Sequence, residues 1–437
     1  VFDQTEFAAR RRKLFQDMSE QSIAILFAAP ECIRSADGHY PYRQNSNFYY
    51  LTGFKEPEAV AVLISNSNGD GEFILFNRKR NPSAEQWTGK RLGQDGAKLE
   101  LLADSAYPIE ELPAMLPKLL SGKSGLYYTL GKQAADDAIV LQAMESVTRL
   151  VRSGVSAPSE IINLDKIISE YRLIKSTSEI AVMRHAGEVS AQAHVRAMKA
   201  CKPGLYEYQL QAELGYGFLQ GGCQEYAYTP IIGGGDNACV LHYIDNNQKL
   251  NDGELVLIDA GGEYHYYSSD ITRTFPINGR FTPEQRAIYE LVLKAQTKVI
   301  EMVRPGVYWN QMHEMAVKVL TEGLVELGLL KGDVETLIKE KTYAQFYMHN
   351  TGHWLGLDTH DVGAYKVDGE WRALEEGMVF TVEPGIYINP NTPDIDKKWW
   401  GIGVRIEDDI LVTKTGCEIF TKSVPKTVEE IEALMAK

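Results

Sequence analysis

Short apolar runs of strand length alternate with stretches of helical periodicity through the N-terminal third of this chain. Residues 1–20 repeat their apolar positions at helical spacing, and the run at 22–28, Ser-Ile-Ala-Ile-Leu-Phe-Ala, reads as a buried strand. Further strands are predicted at 59–64 and 72–76, and a strand at 124–130 stands between helical patterns at 110–120 and 137–151. Strands alternating with helices predict an α/β domain. The stretch 35–53 is aromatic and polar with no period, and no catalytic constellation is visible in this part of the chain. A polar segment around Pro158 and Asn163 marks a boundary region, and the long helical pattern beyond it sets the domains at 1–170 and 171–437.

The second part opens with Ser176-Thr-Ser-Glu179, a capping-box signature, on a helical pattern that runs to about Cys201. Lys202-Pro-Gly-Leu-Tyr206 breaks it, and a second helix is predicted over 207–221. A faint internal repeat follows. Pro203-Gly-Leu-Tyr206 returns as Pro305-Gly-Val-Tyr308, and Leu250-Asn-Asp-Gly253 with its strand to Asp259 returns as Leu374-Glu-Glu-Gly377 with its strand to Glu383. The glycine pair and the acid pair share one offset, 377 − 253 = 383 − 259 = 124. A second acid follows each copy, Asp270 in the first and Glu407 in the second. Chance similarity of short apolar strands would explain one matched acid; two in order weaken it.

Those acids carry the candidate chemistry. Leu255-Val-Leu-Ile-Asp259-Ala-Gly-Gly262 followed by Ser268-Ser-Asp270-Ile-Thr-Arg273 reads as a β-hairpin. Directly opposed residues there would put the Asp259 and Asp270 Cβ atoms about 4.5–5.5 Å apart. Two carboxylates that close repel unless a proton or a cation lies between them. A metal is the simplest cation; for an isolated pair, turn-capping aspartates are the plainer explanation. Two copies of the unit would bring Asp259, Asp270, Glu383 and Glu407 to one seam. In Gly403-Val-Arg-Ile-Glu-Asp-Asp-Ile410, strand parity puts Arg405 and Glu407 on one face and Val404 and Ile406 on the other, with an ion pair on an exposed strand as the alternative. Three of the nine histidines, His349, His353 and His360, fall within twelve positions among glycines, and His242 precedes the hairpin.

Composition narrows the class. With 437 residues, 44% hydrophobic and 24% charged, the chain suits two or three ordinary globular domains. A net charge of −14 argues against nucleic acid or an anionic membrane surface as the main partner. Five scattered cysteines, none in a Cys-x-x-Cys pattern, suit a reducing compartment. The first residues lead into a charged amphipathic helix and no apolar run reaches about 18 residues, so the cytoplasm is the expected location. Trp87, in Ala84-Glu-Gln-Trp-Thr-Gly-Lys, stands among polar residues in a predicted loop, where local packing is the more ordinary role than a contact surface.

Asp259, Asp270, His353, Glu383 and Glu407, in this order and type, resemble the metal-ligand set of the pita-bread metallopeptidases, which include methionine aminopeptidases, prolidases and aminopeptidase P. The run from Met348 to Gly363, Thr381-Val-Glu-Pro-Gly-Ile-Tyr387, 401–409 and the N-terminal stretch 34–48 are similar to the bacterial aminopeptidase P branch. A methionine aminopeptidase would normally lack so large an N-terminal domain. Asn350 stands where the family usually has glycine; Asn tolerates left-handed angles, so a small adjustment of the loop carrying His349 is expected.

The resemblance implies an α/β (α+β) chain: an N-terminal α/β domain followed by a pseudo-twofold pita-bread domain. It implies two Mn²⁺ ions per subunit, with Asp270 and Glu407 shared, Asp259 on one ion and His353 with Glu383 on the other, and hydrolysis of the Xaa-Pro bond at a peptide N-terminus by a hydroxide between the ions. Oxygen-rich ligands of this kind suit Mn²⁺ or Mg²⁺. Glu383 would shuttle the proton, and His242 and His360 would stabilise the oxyanion and the leaving nitrogen. Tyr228, His349, Tyr387 and Arg405 would contact substrate, and Trp87 would reach a neighbouring active site in a homotetramer, a dimer of dimers. Alternatives are a prolidase, a creatinase-like metal-free hydrolase and a non-catalytic binding protein of the same fold. The intact acids weigh against the last two.

Overall fold

In the computed structural model, which describes residues 2–66 and 68–436, the apolar runs of the N-terminal third pair into one six-stranded sheet. Val1, at the start of the first predicted helical stretch, and Lys437, at the end of the second predicted domain, lie outside the described residues. The chain divides into two compact units, Val1–Tyr171 and Arg172–Lys437.

The sheet of the first unit runs in the order Ser105–Pro108, Gly71–Asn77, Val60–Ser65, Ile23–Phe27, Gly125–Tyr127, Glu160–Ile162. Its centre is antiparallel, Ile23–Phe27 against Val60–Ser65 and Val60–Ser65 against Gly71–Asn77, and the outer pairings are parallel. Strand Val60–Ser65 is buried along its whole length, which is why it reads as a continuous apolar run rather than an alternating one. Helices Leu112–Leu120 and Ala134–Thr148 cover the sheet with Leu112, Leu116, Val140 and Val147.

Three readings change here. The segment read as a boundary region holds Glu160–Ile162, the last strand of the sheet, and the division between the two units falls after Tyr171. The aperiodic stretch contains a buried helix, Ser46–Thr52, capped by the Asn45 side chain and closed by Gly53 at φ 69°. Being buried all round, it offers no polar face from which a period could be read. Trp87 lies on a short helix, Pro82–Thr88, rather than a loop, with Asn81 as cap and Pro82 at the first helical position.

In the second unit the repeat is a structural one. Helix Thr177–Ala200 packs on Glu207–Gln220 in the first copy, and Pro283–Met302 on Trp309–Glu326 in the second. Both Pro-Gly breaks are held alike. Gly204 N–H donates to Leu250 O and Gly306 N–H to Leu374 O, both at 2.9 Å. Tyr206 bridges to Lys249, and Tyr308 to Ala373. Each tyrosine then caps its helix with a glutamine three residues on, Gln209 and Gln311. Strands Leu255–Asp259 and Val379–Val382 occupy matching places, pairing antiparallel with Thr272–Pro276 and Asp408–Val412. One apolar core, including Ile258, Phe275, Val382 and Ile410, lies under both copies. Among the described residues no helix is long and apolar enough to cross a membrane.

Candidate active site

The acids do not meet as a plain hairpin. Asp259 pairs with Thr272, not with Asp270, which sits two residues before the strand Thr272–Pro276 begins. A small separate hairpin, Gly262–Tyr264 with Tyr267–Ser268, fills the space between. Asp259 and Asp270 still converge, because Tyr228 Oη reaches a carboxylate oxygen of each at 2.5 Å.

The second copy supplies the rest. Glu383 follows strand Val379–Val382, and Glu407 precedes strand Asp408–Val412, on the chain paired with it. Glu407 N–H donates to Thr272 O at 3.0 Å, joining the two copies by backbone. One ligand atom from each of Asp270, His353 and Glu407 lies within 4.8 Å of the others. His353 Nε2 is 3.3 Å from Asp270 and 3.5 Å from Glu383. All five residues of the expected ligand set thus come together from both halves of the repeat.

Electrostatics show what this cluster is suited to hold. Burial raises the Glu407 carboxyl well above its ordinary range, and the neighbouring acids add to it. Burial raises Asp259 too, although Arg405 opposes it. Glu383 is pushed up to about 7 by burial, with Asp270 adding and His353 opposing. His353 moves the other way from an ordinary buried histidine: burial disfavours its charge, but the hydrogen bond to Asp270 and the field of Glu383 outweigh burial and raise it to about 9. Asp270 is correspondingly lowered, its own burial overcome by His353. Carboxylates this crowded hold protons in the absence of a cation, and their hard oxygens with one imidazole fit a divalent metal ion. The donor set therefore fits the metal it implies. The tautomer of His353 fits as well, since Nδ1–H donates to Trp354 O at 2.9 Å and Nε2 is left facing the acids.

Arg405 is not an exposed-strand residue. It is buried, donating from Nη2 to Asp259 at 2.7 Å, from Nη1 to Tyr387 Oη at 2.9 Å and from Nε to Thr272 Oγ1 at 3.2 Å. Tyr387 Oη passes its own proton towards His349 Nε2, 2.8 Å away, while His349 Nδ1–H meets Asn350 O at 2.8 Å. Burial and the nearby guanidinium lower His349 to about 4, so it stays neutral. His360 stands beside the cluster with its ring centroid 4.3 Å from that of His353. Its partial burial against the cluster and the nearby His353 lower its pKa. His242 is exposed and near enough to depress the basicity of both His349 and His360. Trp87, by contrast, belongs to the other unit and is 87% exposed.

Several supporting residues escaped the sequence reading. Thr272 Oγ1 donates to Glu407 at 2.6 Å, and Thr381 Oγ1 accepts His353 N–H at 3.1 Å and reaches Glu383 at 3.3 Å. Thr351 O accepts Glu383 N–H, and its hydroxyl shares hydrogen bonds with His313 and Tyr347. Behind Glu407, fully buried Arg273 donates to Glu407 O at 2.6 Å and to Asp408 at 2.7 Å. The threonines two residues from an acid, Asp270-Ile-Thr272 and Thr381-Val-Glu383, were the visible signal, although the Thr272 hydroxyl serves Glu407 rather than the acid beside it.

Comparison with known proteins agrees with this geometry. Residues 181–414 match the model of metallopeptidase family M24, and residues 7–145 match that of the aminopeptidase P N-terminal domain. The chain is 48% identical to Xaa-Pro aminopeptidase of Escherichia coli (strain K12), over 98% of this chain and 97% of that protein. It is similar to the structure of Pseudomonas aeruginosa aminopeptidase PepP, with 53% identity, a TM-score of 0.98 and coverage of 100% and 98% of the two chains. It is also similar to a zinc-substituted E. coli aminopeptidase P in complex with product, at 48% identity and a TM-score of 0.97, covering 99% and 98%.

Proposed function

Because this chain belongs to metallopeptidase family M24, with an aminopeptidase P N-terminal domain ahead of its peptidase unit, we propose that it is a metal-dependent exopeptidase that releases the N-terminal residue from peptides with proline at the second position. The observation that carries the reading is the meeting of four carboxylates and one imidazole from the two halves of the repeat. The relatives, named Xaa-Pro aminopeptidases, favour this activity over a prolidase restricted to dipeptides.

Asp259, Asp270, His353, Glu383 and Glu407 are the metal ligands in this reading, and two Mn²⁺ ions are the proposed occupants, supported by the hard oxygen donors. Such ions, when bound, supply Lewis acidity towards the scissile carbonyl and lower the pKa of water. Glu383, 3.5 Å from His353 Nε2 within the acid cluster, is placed to take a proton from the attacking water and return it to the leaving nitrogen. His360 and His242 donate to the developing oxyanion and to the proline nitrogen as its bond breaks. Arg405 fixes Tyr387, which in turn fixes His349, so three groups are pre-set around a substrate ring that has no N–H to offer. Tyr228 closes the wall beside Asp259.

The oligomer belongs to the same proposal: a homotetramer in which Trp87 reaches a neighbouring active site. Its supports are the 87% exposure of Trp87 and the exposed Tyr208, Tyr216 and Leu219 along helix Glu207–Gln220. Trp87→Ala should lower turnover of tripeptides with no change in melting temperature, and light scattering should give the mass of four chains. A cytoplasmic location fits five free thiols.

The direct test is amino-acid release from a series of Xaa-Pro-Yaa peptides and the matching Xaa-Pro dipeptides, with and without Mn²⁺. Metal-dependent release of the first residue from the longer peptides is expected. Hydrolysis confined to the dipeptides would make the protein a prolidase instead.

A further inference from the structure

His360 is exposed, and its ring makes no hydrogen bond of its own among the described residues. Apart from the ring contact with His353, its aim is set through the backbone. Asp361, the next residue, donates its N–H to Trp354 O at 2.8 Å, and the same carbonyl accepts Nδ1–H of His353. One oxygen thus ties His360 to the histidine of the acid cluster.

The Asp361 carboxylate is gripped as well. Lys175 Nζ lies 3.0 Å from one oxygen, and Arg172 Nη2 pairs with the other while also reaching Asp358 at 2.7 Å. The three side chains are almost wholly removed from solvent: Asp361 and Lys175 are 1% exposed and Arg172 is 3%. A Cβ on Gly356 would fall 2.1 Å from Asp361 Oδ2, so the loop closes directly over the carboxylate. Lys175 is itself anchored elsewhere. Its N–H donates to Gly377 O at 2.9 Å, and Ile174 bridges to Met378, at the start of the strand that leads to Glu383. The segment 172–175 therefore holds both the strand before Glu383 and the loop that ends in His360.

Apolar residues of similar volume often serve stability as well as a buried ion cluster does, whereas a fixed carboxylate between two cations defines a position. We propose that Lys175 and Arg172, acting through Asp361, are positioning residues for His360 in peptide-bond hydrolysis. The inference rests on the role given to His360 above and deepens it.

A double-mutant cycle tests it, using Lys175→Met, His360→Ala and the pair in the full-length, metal-loaded protein with an Ala-Pro-Ala substrate. Bound metal and melting temperature are measured alongside kcat and KM. Lys175→Met should lower kcat about 10- to 100-fold, the scale of a small misplacement of a reacting group. KM and metal content should stay within about twofold, and Lys175→Arg should recover most of the loss. In the His360→Ala background the same change should have almost no effect. An equal loss in both backgrounds, or no loss in the native one, overturns the positioning role. A fully active His360→Ala protein would instead sink the assignment of His360, and this inference with it. If Lys175→Met does not fold, Asp361→Asn, of nearly the same shape, carries the same cycle.

Discussion

The guanidinium of Arg405 donates to Asp259 Oδ2 at 2.7 Å, a buried ion pair that joins the second copy of the internal repeat to the first. The same fork holds Tyr387 and Thr272. Arg405 is thus both a counter-charge to the acid cluster and the piece that fixes its neighbours' geometry.

Removing it leaves Asp259 buried without its cation. Breaking such a pair from one side costs about 3–5 kcal/mol, and Arg405→Met should lose stability on that scale in urea denaturation of the metal-free protein. Arg405→Lys should recover only part, because one ammonium cannot reach three acceptors in the plane of a guanidinium. Native stability and turnover in the lysine variant would refute this account.

Asp259→Ala, Asp270→Ala and Glu407→Ala should each abolish bound metal and peptide hydrolysis together. The check is metal analysis and activity after stripping and adding Mn²⁺ back. Full turnover by any of them would remove that residue from the ligand set.

Gly352 makes a subtler prediction. Its Cβ position lies 1.9 Å from Thr381 O, and Thr381 N–H donates to His353 O at 2.9 Å. Gly352→Ala must push His353 and the Glu383 strand apart without touching a ligand atom. Displacing such outer support typically costs about 10- to 100-fold in metal affinity. A calorimetric Mn²⁺ titration that gave the native affinity would show that the backbone yields elsewhere.

The repeat was legible in the sequence because it is carried by short-range chemistry: the Pro-Gly breaks, the glycine turns before the strands and the acids at strand ends. Those features fold locally, so Asp259 and Glu383 could be matched at one offset. Pairing register was not legible. Nothing near Asp259 indicates that Thr272, rather than Asp270, stands opposite, since a separate small hairpin absorbs the intervening residues. Long-range partners were equally hidden. Arg172 and Asp361 are far apart in the chain, and neither sits in a periodic pattern that would announce a buried ion pair. The buried helix Ser46–Thr52 escaped because burial all round erases the polar face.

The pH dependence of the metal-free protein follows from the raised groups. Glu383 titrates near 7 in the folded state against an ordinary 4.5, and His353 near 9 against 6.5. In both cases the folded chain holds a proton that the unfolded chain has released. Stability from Glu383 is therefore complete below about pH 4.5 and lost as pH rises through 7; that from His353 is complete below about 6.5 and lost through 9. The metal-free protein should accordingly weaken steadily from about pH 5 to 9. A divalent cation bound to the same groups displaces those protons, so its affinity must rise over the same interval. Calorimetric titrations with Mn²⁺ in buffers of different ionisation enthalpy should show proton release on binding near pH 7. The rise in melting temperature on adding metal should be larger at pH 8 than at pH 5.5. A metal-induced shift that is the same at both pH values would mean that the acids are already ionised in the metal-free protein, and that Arg405 and His353 suffice to hold them so.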